Sequence, residues 1–457
     1  MTSRTLLVGA ALSVCALTAH ATDLLQVWQA ARQHDPQGRV IDAGRAARAQ
    51  QREQAASLWR PQLGLSASAG AASANSQMEG AQFAAPPAFP ATSGASFATS
   101  VNGGTSTRWA LNARQPLYNV ERQAQRQQLV ISAESGEIEW QAAQQDWMLQ
   151  TTQRYFNTVL AERRLALLQQ QQSAVEKALT EAKDRFALGD IPVTDTHEAS
   201  ARARGLQAQA LAAASELELA RNELSDITGL PGTGLQLQAP ARRVQAAVIE
   251  PLAHWLALAQ QDNPMLKRQQ AQAAAAREEI RKHSALGAPT LDLVAQASRE
   301  RLSGSGDFGS ASNTQRQQMI GLSLNVPLYT GGWRNAKEQE ALRLEEKARA
   351  EVERARQQVG QLTRAAWLGL QSGQARLLAL EEALTAQQAR LDATRLGRQL
   401  GDRTTLDLLN AENDASAAEL ALLQARIDTL QNRLQLDALV GQLDAQRLQA
   451  VNNALQP

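Results

Sequence analysis

Proline placement constrains this chain more than any other feature. It has fourteen prolines, yet none lies between Pro116 and Pro192 and none between Pro327 and Pro457. A proline inside a helix costs about 3 kcal/mol, so these two gaps are where uninterrupted helices can run. Tyr118 to Phe186 would reach about 100 Å at a rise of about 1.5 Å per residue, several times an average helix, with only Gly136 interrupting it. Helical spacing agrees. Leu206, Ala210, Ala213, Leu217, Ala220, Leu224 and Ile227 follow alternating four- and three-residue steps, and Leu423, Ile427, Leu430 and Leu434 repeat them. This is the seam of a coiled coil, although an ordinary amphipathic bundle helix shares much of the pattern. Aromatic content is 4%, low for one large globular core and suited to long helices packed side by side.

The N-terminus reads as a secretory signal over residues 1–21. Arg4 supplies the charge, Leu6 to Leu17 the short apolar stretch, and Ala19-His20-Ala21 the cleavage site. The apolar stretch is too short to span a bilayer, and no later stretch reaches about twenty apolar residues. Cys15, the single cysteine, falls inside the signal without the small residue a lipid anchor wants before it. The mature chain therefore has no disulfide and no cysteine-ligated metal. With 46 Lys+Arg against 45 Asp+Glu, no basic surface for nucleic acid is expected.

The chain is duplicated. Asp35-Pro36 matches Asn263-Pro264, and Pro61-Gln62-Leu63-Gly64-Leu65 matches Pro289-Thr290-Leu291-Asp292-Leu293 at the same offset. Gln115-Pro116-Leu117-Tyr118 then matches Val326-Pro327-Leu328-Tyr329, and Leu188-Gly189-Asp190 matches Leu400-Gly401-Asp402, at a shorter offset. The offset drops between residues 65 and 115, where the first half carries an insertion. Each half reads helix, strand, loop, strand, long helix, turn, helix.

Four segments alternate. Leu63, Leu65, Ala67 and Ala69; Trp109, Leu111 and Ala113; Leu291, Leu293, Ala295 and Ala297; and Ile320, Leu322, Leu324 and Val326 each alternate with small or polar residues. An apolar face against a polar one over roughly ten residues is the pattern of a lipid-facing barrel strand, though a half-buried soluble sheet alternates equally well. Residues 71–104 and 303–317, rich in Gly, Ser and Ala, read as flexible exterior loops. Four strands cannot close a membrane barrel, and open edges are not tolerated in lipid, so several copies must share one barrel.

Taken in order, Leu24-Leu25-Gln26-Val27-Trp28-Gln29-Ala30-Ala31, Pro61-Gln62-Leu63, Arg185-Phe186-Ala187-Leu188-Gly189-Asp190 with Thr194-Asp195, and Val326-Pro327-Leu328-Tyr329-Thr330-Gly331-Gly332 resemble the TolC family of outer-membrane channel proteins, over about residues 22–450. The resemblance implies a mostly α protein with membrane β: four strands per protomer in a trimeric twelve-stranded barrel, and coiled-coil helices forming a periplasmic tunnel. The layout would be signal 1–21, helix 22–60, β-hairpin with extracellular loop 61–116, long helix, turn and returning helix 117–229, equatorial linker 230–250, helix 251–288, second hairpin 289–327, long helix, turn and returning helix 328–441, and tail 442–457. It implies a homotrimer in outer-membrane lipid, docking through a periplasmic adaptor (a membrane fusion protein) onto an ABC or proton-driven inner-membrane transporter. Cargo would be secreted proteins of the type I kind, RTX-type toxins among them, or small toxic compounds.

Gly189, Asp190, Gly401 and Asp402 mark the helical turns, where glycine can supply the left-handed cap and Thr194 and Thr404 are N-cap candidates. The resemblance makes these turns a periplasmic aperture. Thr194 and Asp195 would pair with Arg403 across the two coiled coils, and Asp407 would line the constriction. Asn410 stands where the family has a second carboxylate, and Arg398 where it has an aromatic latch partner.

Gly304-Ser305-Gly306-Asp307-Phe308-Gly309 fits a dinucleotide-binding pattern but is followed by no helix. His34, His197, His254 and His283 have no metal-ligand spacing. No nucleophile elbow, phosphate loop or paired carboxylates appear, so neither catalysis nor a cofactor is expected. A periplasmic coiled-coil adaptor or scaffold without a channel is the rival reading; it leaves the four strands unexplained.

Overall fold

The computed structural model describes residues 22–85, 89–232, 235–241, 249–306 and 309–456. The signal segment 1–21 lies outside them, as does much of the predicted linker. Two units can be distinguished. One comprises the residues up to Ala46, Gly136–Gln269 and Val352–Pro457; the other comprises Ala47–Ser135 and Gln270–Glu351.

The second unit holds the sheet. Its strands are β1 (Gln62–Ala85), β2 (Phe89–Tyr118), β4 (Thr290–Gly306) and β5 (Gly309–Asn325), antiparallel in the order β1-β2-β4-β5. The register places Leu65 opposite Leu111, Leu111 opposite Ala297, Ala295 opposite Ile320 and Leu293 opposite Leu322 on one face. That face is bare: Leu65 is 73% exposed and Ile320 77%. The other face carries Ser66, Asn112, Arg114 and Asp292, and there Arg114 donates to buried Asp292 at 2.5 Å. Strands β1 and β5 are the edges.

Two sequence expectations need correction here. Residues 71–104 and 303–317 are mainly strand rather than flexible loop, since β1 pairs with β2 as far as Ala85↔Phe89 and β4 with β5 as far as Gly306↔Gly309. Backbone ladders satisfy their own polar groups, so a run of Ala, Ser and Gly can be strand when a partner of equal length runs beside it. At 24 and 30 residues, β1 and β2 far exceed the roughly 9–11 that a bilayer requires.

Before each strand pair in the chain, the single helices expected at 22–60 and 251–288 are each broken in two. α1 (Leu24–His34) and α2 (Pro36–Ser57) divide at Asp35-Pro36, and α5 (Leu252–Asp262) and α6 (Pro264–Ser284) divide at Asn263-Pro264. The residue before a proline is driven out of the helical region; Asp35 and Asn263 both take extended ψ, 123° and 124°. A buried carboxylate, Glu345, sits between Arg277 at 3.2 Å and Arg349. Burial works against its charge, but the two guanidiniums hold it below the usual carboxylate range.

Helices α3 (Val120–Ala187) and α7 (Trp333–Gln399) run 68 and 67 residues, and α4 (Val193–Thr228) and α8 (Thr405–Leu439) return from them. On α4 the buried positions Leu206, Ala210, Ala213, Leu217, Leu224 and Ile227 follow the coiled-coil spacing. The main core of the first unit joins Leu24, Val27 and Trp28 of α1 to Tyr155 and Phe156 of α3, Leu224 of α4 and Leu434 of α8. Trp28 meets Trp147 edge-on at 4.8 Å. The Tyr155 hydroxyl donates to the Gln238 carbonyl at 2.9 Å. The segment expected as a tail, 442–457, folds: α9 (Ala445–Asn452) is capped by Asp444, and β6 (Leu455–Gln456) pairs with β3 (Ala239–Pro240).

Asp437 of α8 is buried, with Oδ1 unpartnered among the described residues and Arg433 at 3.5 Å. Burial pushes its pKa up, partly offset by Arg433. A carboxyl raised on folding loses stability as pH rises above the unfolded value, about 4. Asp437→Asn should therefore raise the Tm at pH 7, and that gain should shrink toward zero by about pH 4. Thermal unfolding at both pH values checks this; an equal shift at both would remove the titration argument.

Candidate periplasmic gate

Both helical turns close in the same way. Gly189 takes φ 80° and Gly401 φ 88°, the left-handed conformation that residues with a Cβ rarely adopt. Gly189 N–H donates to the Phe186 carbonyl at 2.9 Å and Asp190 N–H to Arg185 at 2.9 Å. Gly401 N–H donates to Arg398 at 3.1 Å and Asp402 N–H to Gly397 at 2.8 Å. These paired bonds satisfy the last carbonyls of α3 and α7 and turn the chain sharply.

The returning helices begin differently. Thr404 caps α8: its hydroxyl accepts from Asp407 N–H at 3.1 Å, while Thr404 N–H and hydroxyl donate to Asp407 Oδ2 at 3.0 and 2.9 Å. Those two hydrogen bonds hold the Asp407 carboxyl below the usual range, so the residue stays ionised into mild acid. Thr194 is not the cap of α4. Pro192, at φ −72° and ψ 156°, occupies that position without a side-chain bond, and the Thr194 hydroxyl turns instead to Asp195 at 3.3 Å. The fixed ring torsion of Pro192 already supplies the extended geometry that a cap needs.

Within the protomer, Asp195 and Arg403 form no ion pair among the described residues. Arg403 lies back against its own turn, near Gly397. Other links join the two hairpins. Arg398 of α7 pairs with Glu181 of α3. Arg202 of α4 donates to Asn410 Oδ1 of α8 at 2.7 Å. Further along, Arg163 of α3 pairs with Glu419 of α8. Arg390–Asp414 at 2.8 Å and Arg395–Glu412 at 3.4 Å tie α7 to α8. The two departures noted in the sequence thus have structural roles: Arg398 and Asn410 each anchor a cross-hairpin bond. Glu181 and Arg202 were not legible as their partners, because they meet only when the hairpins pack and no local spacing marks them.

Comparison with known proteins agrees with this architecture. The family described as Outer membrane efflux protein matches residues 27–230 and 255–442. Outer membrane protein TolC of Escherichia coli is 28% identical, covering 98% of this chain and 88% of that protein. The Proteases secretion protein PrtF of Dickeya chrysanthemi is 28% identical, covering 74% and 73%. The crystal structure of the Campylobacter jejuni CmeC outer membrane channel superposes with a TM-score of 0.72 at 14% identity, covering 95% and 90%. On the match over residues 27–230 and 255–442, this chain belongs to the outer membrane efflux protein family, with a TolC-like fold and a place in the outer membrane.

Proposed function

We propose that three copies of this chain form the exit duct of a tripartite export system. A periplasmic adaptor and an inner-membrane transporter would feed it secreted proteins of the type I kind or small toxic compounds. One observation carries the reading: the sheet presents an apolar outer face yet, among the described residues, leaves the outer edges of β1 and β5 without a partner strand. In lipid such edges must be closed, and three four-stranded sheets make a twelve-stranded barrel. PrtF is named for protease secretion, which supports a protein cargo; an adaptor or scaffold would have no use for the sheet.

The helical turns form the resting gate in this reading. An exposed ion pair contributes only about 0–1 kcal/mol. Arg398–Glu181 and Arg202–Asn410, repeated in three protomers, together bias opening by a few kcal/mol, and each 1.4 kcal/mol is about tenfold in population. Asp195 and Arg403, which form no ion pair with each other within the protomer among the described residues, sit at the two turns, and in this reading Asp407 rings the constriction with negative charge that favours cations. Arg398→Ser with Arg202→Ser should therefore raise closed-state conductance in planar bilayers by about tenfold or more while the trimer persists. Arg403→Ser should give a smaller rise, and Asp407→Ala a lower cation preference. Wild-type conductance in the double variant would rule out this gate. A folded, detergent-stable monomer would rule out the duct itself.

A further inference from the structure

Above the apolar band, the outer face of the sheet changes character within one row. Leu293 and Leu322 face each other, then Ala295 and Ile320, then Ala297 and Gln318; the next row sets Arg299 of β4 against Arg316 of β5, with Trp109 of β2 on the other side. Arg301 follows two residues on, between Thr107 and Thr314. Three guanidiniums thus share one face in adjacent rows. Glu300, between Arg299 and Arg301 on β4, is on the opposite face, where it accepts from Ser106 Oγ at 3.3 Å. Beyond Arg301, β4 and β5 carry on the same face Ser303 and Ser312, then Ser305 and Ser310.

Like charges directly opposite on neighbouring strands repel, so an anion from outside the protein would relieve a pair such as Arg299–Arg316. Its level fixes which anion. The row lies where the apolar surface ends, on the side of the hairpin turns and away from the helices. Trp109 shares that row, and an exposed tryptophan at the end of an apolar band marks a membrane interface. Guanidinium forks match phosphate oxygens bidentately and are weakly hydrated.

We propose that Arg299, Arg301 and Arg316 bind the phosphate of a phosphorylated glycolipid in the outer leaflet, fixing the depth of the sheet in the membrane. This rests on the barrel reading, which puts that face in lipid.

The test is native mass spectrometry of the full-length assembly in detergent, offered bisphosphorylated lipid A, its dephosphorylated form, or inorganic phosphate. Wild type should retain the phosphorylated glycolipid. Arg299→Gln/Arg301→Gln/Arg316→Gln should weaken retention by about tenfold or more, and Arg108→Gln, on the opposite face, should not. Equal retention by the triple variant, or of the dephosphorylated lipid, overturns the site. Displacement of the glycolipid by millimolar inorganic phosphate overturns the lipid assignment. Failure of the barrel reading looks different, because the protein would then not assemble as an inserted oligomer at all.

Discussion

Ile320→Arg is expected to abolish stable assembly of the channel, while Gly321→Arg, one residue along the same strand, should leave it largely intact. Ile320 is 77% exposed on the apolar face, midway between the Leu324 row and the arginine row. An arginine facing lipid near the midplane costs about 2–4 kcal/mol, and a trimer carries three copies, so the total is roughly 6–12 kcal/mol. That rivals the whole stability of an ordinary domain, about 5–15 kcal/mol. Gly321 faces the opposite way, and a Cβ built there meets nothing within 4 Å. Heat-modifiable gel mobility of outer-membrane fractions reads the result. If both variants assemble equally well, the apolar face is not the lipid face.

The second large effect belongs to the helical unit. Phe156 is fully buried and stacks edge-on against Tyr155 at 5.4 Å, within the core that joins α1, α3, α4 and α8. Phe156→Ala should cost about 3–5 kcal/mol per protomer through lost burial and the cavity left behind. Leu219→Ala, on the exposed side of α4, should cost within about 0.5 kcal/mol. Urea unfolding followed by far-UV circular dichroism compares the two. Similar midpoints would mean that the core has been misplaced. Because α1 and α9 pack on this core, limited proteolysis of Phe156→Ala should also cut earlier near both chain ends.

Much of this protein is legible in its sequence. Proline-free intervals marked α3 and α7, because a helix interior excludes proline. Alternation marked the four strands, and the heptad steps on α4 named six of its buried residues, with Ala220 half-buried. Glycine at the turns announced the left-handed caps. Each of these is local, set by backbone torsion or by the period of one element.

What the sequence withheld depends on packing. The Ala, Ser and Gly runs of 71–104 read as loop because nothing in one strand says how far its partner extends. Thr194 read as a cap because a hydroxyl in that position often is one, whereas Pro192 had already set the turn. Asp195 and Arg403 read as a pair by resemblance, but within one protomer the cross-hairpin bonds fall to Glu181 with Arg398 and Arg202 with Asn410. Their side chains are separated by about two hundred positions in the chain, and only the packing of α3 and α4 against α7 and α8 brings them within bonding distance. The same holds for Arg299 and Arg316, whose shared face exists only through the β4–β5 register. The sequence by itself determined the elements and their duplication, since those follow from local torsion and periodicity. Tertiary structure decided which charges meet, since a salt bridge is fixed by distance in space and leaves no period in the chain.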